Sequence, residues 1–286
     1  MHDVNGKTGI FGIIGHPVEH TLSPAMQNAA LVACGLNYIY IPFNVLPDRL
    51  GIAVAGLAAL GVSGFNVTIP HKTSIIPYLD ALDESAEVAG AVNTVWYDQG
   101  RLIGYNTDGD GLLRSLADDL GFVPGTRTII LVGAGGAARG ALASLCRAGA
   151  ERVVVVNRTP EKARELSDLF SQRFTDTDII PAGTAEEVKP FLKDVSLLVN
   201  TTSLGMNGER VPFVNLADMP MDSKIYDMVY APSVTPLLRD AADLGLSCVN
   251  GLGMLAGQGE LAFRLWTGVQ PPHGLMKDVL TSICNV

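Results

Sequence analysis

The residues best suited to chemistry are Lys72, in the run GFNVTIPHK, and Asp108, in GYNTDGDG. An ammonium can serve as a cation or a proton donor and a carboxylate as a proton acceptor or orienting group, so each is a residue type that acid–base chemistry uses. The pattern places Lys72 at a helix start, against the positive end of the helix dipole, an unfavourable position for a mere surface charge. Asn66 and Thr68 stand close to it in sequence, and Asn106 and Thr107 precede the aspartate. Capping of the helix that follows accounts for one of residues 106–108. Thr21 and Ser23, in GHPVEHTLSPAMQN, are two hydroxyls one residue apart at another helix start. They suit a small ligand's carboxylate, or Ser23 is simply an N-cap with Pro24 at the first helical position. The sequence leaves these two readings balanced.

A second constellation is built from glycine. Thr128 to Val132 is an aliphatic, β-branched run that leads into Gly133, Gly135, Gly136, Ala137 and Ala138 before helix-forming sequence resumes. Strand, tight glycine turn and helix N-terminus together let a backbone approach a pyrophosphate, and Gly133-x-Gly135-x-x-Ala138 fits the dinucleotide fingerprint in its Ala-ended form. The next valine strand, Arg152 to Val156, ends in Asn157-Arg158-Thr159, where an acidic residue would bind the ribose of NAD. An arginine in its place favours a 2′-phosphate, so the expected cofactor is NADP, with Lys162 as a second phosphate partner.

Elements must hold both sets. Gly9–Ile14, Tyr38–Phe43 and Val62–Ile69 read as strands, alternating with a helix that starts at Pro24 and one from Pro47 to Leu60; alternation means a wholly or mostly parallel sheet. An acidic helical stretch, Ala81 to Val88, precedes a hairpin whose strands flank Asp98-Gln99-Gly100, with Asn93 inside the first strand. Beyond a linker at 121–127 the alternation resumes: βα units up to Lys193, strands near 195–199, 224–228 and 246–249, a helix Thr235–Leu244, and two closing helices. Ser203, Gly205 and Met206 follow the 195–199 strand, where open sheets bind ligands. The expected fold is α/β with two domains. A substrate-binding α/β domain comprises residues 1–110 and 252–286, completed by the C-terminal helices, and a Rossmann-type NADP-binding domain comprises 111–251.

Composition sets the bounds. The 286 residues suit two domains, and a 48% hydrophobic content supports sizeable cores. A net charge of -9 argues against nucleic acid or an anionic membrane surface as partner and leaves a small-molecule substrate. No apolar run reaches the roughly 18 residues of a membrane span, and the N-terminus lacks a basic-then-apolar leader, so a cytoplasmic location is expected. The four cysteines, Cys34, Cys146, Cys248 and Cys284, are expected as buried free thiols. His16 and His20 find no third ligand nearby, so no metal is expected. Assembly stays open, a homodimer included.

Taken in order, GHPVEHTLSPAMQN, GFNVTIPHK, GAVNT, GYNTDGDG, GAGGAAR, NRT, NTTSLGM, YDMVY and NGLGMLAGQ resemble the shikimate dehydrogenase family over nearly the whole chain. The resemblance implies reversible reduction of 3-dehydroshikimate to shikimate by NADPH, in aromatic amino-acid biosynthesis. It makes Lys72 and Asp108 the catalytic pair, gives the substrate carboxylate to Thr21 and Ser23, and gives the ring hydroxyls to Asn93, Thr68, Tyr230 and Gln258. It assigns Gly133 to Ala138, Asn157, Arg158, Thr159, Lys162 and Thr201 to NADP, with Met228 and Gly251 beside the nicotinamide. Three positions depart from the family's pattern: Thr21 where Ser is usual, Gln27-Asn28 where His-Asn is usual, and Asn250 where Asp is usual. A quinate-oxidising relative that uses NAD is the nearest alternative, and a cofactor-binding sensor without catalysis is the alternative of another class.

Overall fold

The computed structural model describes residues 4–284. The chain divides into two compact units, one made of residues up to 111 together with 255–284, the other of 112–254.

The first unit contains β1 (Gly9–Gly15), α1 (Ser23–Ala33), β2 (Tyr38–Asn44), α2 (Leu50–Ala59), β3 (Gly64–Val67), β4 (Ala81–Leu82), α3 (Glu84–Ala89), β5 (Thr94–Asp98) and β6 (Arg101–Tyr105). Its sheet runs β2-β1-β3-β5-β6-β4, parallel through β1, β2 and β3, and antiparallel through β3, β5 and β6. The antiparallel hairpin turns at Gln99-Gly100, both with positive φ, as a tight two-residue turn requires. Val54, Leu57, Phe65, Val67, Val92 and Val95 form its core. Each such side chain, fully buried, contributes about 1.5–3 kcal/mol.

Some elements are shorter than the sequence pattern suggests. The strand expected over Val62–Ile69 is confined to Gly64–Val67, and Ala81 to Val88 splits into a two-residue strand and a helix capped by the Asp83 side chain. An aspartate before Glu-Ser accepts the Ser85 N–H more readily than it continues a helix. Asn93 lies one residue ahead of β5 rather than inside it.

α4 (Asp108–Leu120) begins in the first unit and continues into the second. There follow β7 (Thr128–Val132), α5 (Gly136–Arg147), β8 (Arg152–Val156), α6 (Pro160–Ser171), β9 (Asp178–Ala182), α7 (Ala185–Val188), β10 (Val195–Asn200), β11 (Lys224–Asp227), α8 (Pro236–Asp243) and β12 (Ser247–Asn250). The sheet order is β12-β11-β10-β7-β8-β9, all parallel. This is a doubly wound Rossmann-type sheet, and its order reverses between β7 and β10, the point where such sheets take ligands. Val153 to Val156 are wholly buried, as a parallel strand covered on both faces demands.

α9 (Leu252–Thr267) and α10 (Leu275–Cys284) close the chain. Trp266 of α9 stacks on Phe11 at 4.9 Å between centroids and donates its Nε1–H to the Val95 carbonyl at 3.0 Å, so this helix is tied to the first sheet. α10 packs on α1. Among the described residues no helix is long and apolar enough to cross a membrane, and no group of three His, Cys, Asp or Glu could hold a metal. The four cysteines are free thiols, but only Cys146 is buried; Cys34, Cys248 and Cys284 are half-exposed, at the end of α1, in the edge strand β12 and at the end of α10.

Candidate active site

Lys72 does not stand on a helix. It belongs to a single turn closed by the Ile75 N–H and the His71 carbonyl at 3.0 Å, which passes into a short 3-10 segment, Ile76–Tyr78. Pro77 has no N–H with which to extend that turn, so the dipole penalty anticipated for Lys72 does not arise. The turn is held at two points. His71 Nε2 donates to the Val45 carbonyl at 2.7 Å, and the Lys72 carbonyl accepts from the Val92 N–H at 2.7 Å.

Asp108 is the first residue of α4, and the capping work falls to its neighbour: Asn106 Oδ1 accepts the Asp108 N–H at 3.2 Å. The carboxylate is left for other partners. Lys72 Nζ donates to Oδ2, and Asn93 Nδ2 donates to Oδ1 at 2.8 Å. The side chain of Asp108 is 6% exposed and that of Lys72 16%, so the ammonium is the member of the pair with an open side.

Asn93 is buried, and its amide orientation is fixed by chemistry. Oδ1 accepts the Thr107 N–H at 2.8 Å, which leaves Nδ2 to face Asp108, Thr107 Oγ1 and, at 3.5 Å, Gln258 Oε1. Behind it lies a layer of which the sequence pattern pointed only to Asn66. Thr94 Oγ1 donates to Asn93 Oδ1 at 3.0 Å and accepts from Asn66 Nδ2 at 3.0 Å, and Asn66 Oδ1 accepts from the Tyr40 hydroxyl at 2.7 Å. Buried polar groups survive only when paired in this way. Burial pushes the Tyr40 phenol well above its ordinary pKa, and the Ser23 hydroxyl beside it acts in the opposite sense.

At α1 the expected cap is not formed. Ser23 is already helical, Leu22 occupies the N-cap, and no side chain caps the helix. Thr21 Oγ1 instead accepts the Ser23 N–H at 3.3 Å. Thr68 is half-buried just past β3, and Tyr230 is half-buried past β11, in the second unit. The structure therefore brings together Lys72, Asp108, Asn93 and Gln258 by direct contact.

In the second unit the glycine turn follows β7. Gly133 has φ of +120°, and a Cβ there would strike the Thr201 hydroxyl at the end of β10, so both strands of the switch point meet at this residue. Gly135 is the N-cap of α5 with no side-chain cap, and a Cβ on it would meet open space. The first-turn N–H groups, from Gly136, Ala137 and Ala138, have no intrahelical acceptor. Ala138 is fully buried against the sheet. A bare helix N-terminus behind a glycine with room in front fits a pyrophosphate. Past β8, Arg158 and Lys162 are exposed, and Asn157 Nδ2 bonds the Thr159 carbonyl at 2.9 Å, which shapes that turn. Gly251 packs so closely on Met228 that a Cβ would collide with the Met228 carbonyl.

The Asn200 Nδ2, the Val229 N–H and the Thr235 hydroxyl converge on the buried Asp227 carboxylate. Burial raises its pKa despite these donors. Gly205, with φ of +103°, packs against Thr235, while Ser203 and Met206 are exposed.

Comparison with known proteins bears on all of this. Residues 13–95 match the shikimate dehydrogenase substrate binding domain, 118–203 the shikimate / quinate 5-dehydrogenase domain, and 251–281 the shikimate 5'-dehydrogenase C-terminal domain. A protein of Geobacter metallireducens named shikimate dehydrogenase (NADP(+)) is 52% identical over 281 residues, 96% of each chain. The chain belongs to the shikimate dehydrogenase family. Its fold is also that of solved members. The Thermus thermophilus shikimate 5-dehydrogenase crystallised with NADP(H) and shikimate is 36% identical, with a TM-score of 0.84 over 96% of this chain and 99% of that one. A quinate dehydrogenase from Corynebacterium glutamicum in complex with NAD is 28% identical, with a TM-score of 0.87 over 96% and 99%. Of the departures from the family pattern, Gln27 donates to the Gly259 carbonyl at 3.0 Å and Asn250 Oδ1 accepts the Leu252 N–H at 3.1 Å, so both have structural work.

Proposed function

We propose that the protein is an NADP-dependent shikimate dehydrogenase that reversibly reduces 3-dehydroshikimate to shikimate on the route to chorismate and the aromatic amino acids. The observation that carries the reading is the Lys72–Asp108–Asn93 constellation in a member of this family. NADPH, when bound, supplies a hydride to the ring carbonyl carbon. The carbonyl oxygen then gains an electron pair, and the Lys72 ammonium provides the cation and the proton for it. Asp108 fixes that ammonium and returns a proton to it from solvent. Asn93 in turn fixes Asp108, so the donor is held in place before substrate arrives. Oxidation of shikimate runs through the same groups in reverse.

On the substrate side, the hydroxyls of Thr21 and Ser23 hold the carboxylate, and Thr68, Asn93, Tyr230 and Gln258 hold the ring hydroxyls. On the cofactor side, Gly133 to Ala138 and Thr201 take the pyrophosphate, Asn157, Arg158, Thr159 and Lys162 take the 2′-phosphate end, and Met228 and Gly251 line the nicotinamide. Arg158 favours NADP over NAD because a guanidinium forks onto a phosphate. Free thiols suit a reducing compartment, and the enzyme is assigned to the cytoplasm. A homodimer is the assembly to test by light scattering.

The discriminating assay gives the purified protein shikimate and quinate, each with NADP and with NAD. Turnover dominated by shikimate with NADP is the expected result. Preference for quinate with NAD would move the protein to the other branch of the family, where the extra methyl of Thr21 keeps a reading open. No turnover with any pair would leave a binding protein.

A further inference from the structure

We propose that Tyr40 is a positioning residue that holds Ser23 in place at the carboxylate end of the substrate site, anchored from behind by the buried hydrogen bonds that lead to Asp108. The proposal rests on the dehydrogenase reading above. Tyr40 lies in β2 and is 1% exposed. Its phenol donates to Asn66, and from there the donors run in one direction: Asn66 to Thr94, Thr94 to Asn93, Asn93 to Asp108. Each amide in this series has its oxygen facing back toward Tyr40 and its nitrogen facing forward.

The backbone of Tyr40 is tied just as firmly in the other direction. Asn28, on α1, donates to the Tyr40 carbonyl at 2.8 Å and accepts the Tyr40 N–H at 2.9 Å. The same Asn28 amide donates at 2.8 Å to the carbonyl of Pro24, the residue after Ser23. The first turn of α1, which carries Ser23, is therefore locked to the residue whose phenol starts the series to Asp108.

The chemistry of the phenol completes the argument. Its one proton is committed to Asn66, so toward Ser23 the oxygen can only accept. The Ser23 hydroxyl, its hydrogen-bond partner, must therefore be the donor, which seats the Ser23 oxygen beside the phenol. Removing the phenol frees Ser23 and leaves the Asn66 oxygen unpaired, while the Thr107 N–H still holds Asn93. The effect should fall on substrate affinity more than on turnover.

The test is a double-mutant cycle on the full chain with Tyr40→Phe and Ser23→Ala, reading KM for shikimate, kcat, KM for NADP and the melting temperature. The expected result for Tyr40→Phe is a shikimate KM raised roughly tenfold, the factor that 1.4 kcal/mol represents, with kcat within about threefold and KM for NADP unchanged. The double variant should match Ser23→Ala alone, because Tyr40 acts through Ser23. Independent effects that multiply in the double variant would overturn the proposal, as would a Tyr40→Phe enzyme with wild-type KM. Should Tyr40→Phe fail to fold, Asn28→Ala, which releases α1 from Tyr40, must raise the shikimate KM in the same way, and an unchanged KM there also overturns it. A wild type inactive on shikimate would remove the dehydrogenase reading itself.

Discussion

The two units hold their functional groups by opposite means. The first relies on side chains: Lys72, Asp108, Asn93 and Gln258 come from four separate stretches and meet through buried hydrogen bonds. The second relies on backbone at its proposed pyrophosphate site: Gly133, Gly135 and the first turn of α5 present N–H groups from one contiguous segment. A side-chain site can be dismantled one hydrogen bond at a time, and each loss is selective for the step that bond serves. A backbone site is insensitive to most substitutions but intolerant of added volume where the chain passes closest to a neighbour.

The largest effect that follows from this contrast is on turnover. Lys72→Ala should lower kcat by about 10³-fold, within the range general acid–base groups supply, with a modest change in shikimate KM measured by steady-state kinetics. Next is the backbone side. Gly133→Ala forces a Cβ onto the Thr201 hydroxyl at a positive φ, a strain of about 1–3 kcal/mol, and should both lower the melting temperature by several degrees and raise KM for NADP. Equal loss of shikimate affinity in that variant would blur the division between the units. Arg158→Ala should raise KM for NADP about tenfold or more, as loss of a charged hydrogen bond implies, and narrow the preference over NAD without moving the shikimate KM. An unchanged cofactor ratio would refute the 2′-phosphate role.

The smallest effect concerns Asp227, a buried side chain in the unit otherwise governed by backbone. Burial raises its folded pKa, so the ionised form is penalised in the native state. Its share of stability is therefore highest below the unfolded value, near 3.9, and is lost as pH rises from there through the raised folded value. Asp227→Asn should flatten the pH dependence of the melting temperature across that window. A variant whose melting curve keeps the wild-type pH slope would contradict the account.

The same contrast explains how much was legible in the sequence. The strands and the glycine turn of the second unit follow from contiguous patterns, such as the valine run of β8 and the Gly133-x-Gly135 spacing, because local residues decide them. In the first unit Lys72 and Asp108 stood out as residue types, yet the helix assigned under Lys72 proved to be a single turn cut short by Pro77. A cap was one of two balanced readings of Ser23, since short-range rules favour it, whereas Leu22 takes that place and the Ser23 hydroxyl is a partner of Tyr40. Tyr40 and Thr94 were out of reach, and Asn66 and Thr107 stood out only by their neighbours, since the meaning of all four comes from partners many residues distant. The weak signals were there: an asparagine inside a short apolar strand, and a tyrosine whose neighbours alternate. A polar residue in a strand core needs a partner, and only the fold names it.

The central claim is that the proposed chemistry resides in the side chains of the first unit and cofactor binding in the second. Equilibrium titration of NADPH into the Lys72→Ala protein tests it most directly. A dissociation constant equal to the wild type's, in a protein that has lost its turnover, is the result the account predicts. Weakened NADPH binding, or turnover retained at the wild-type rate, would contradict it.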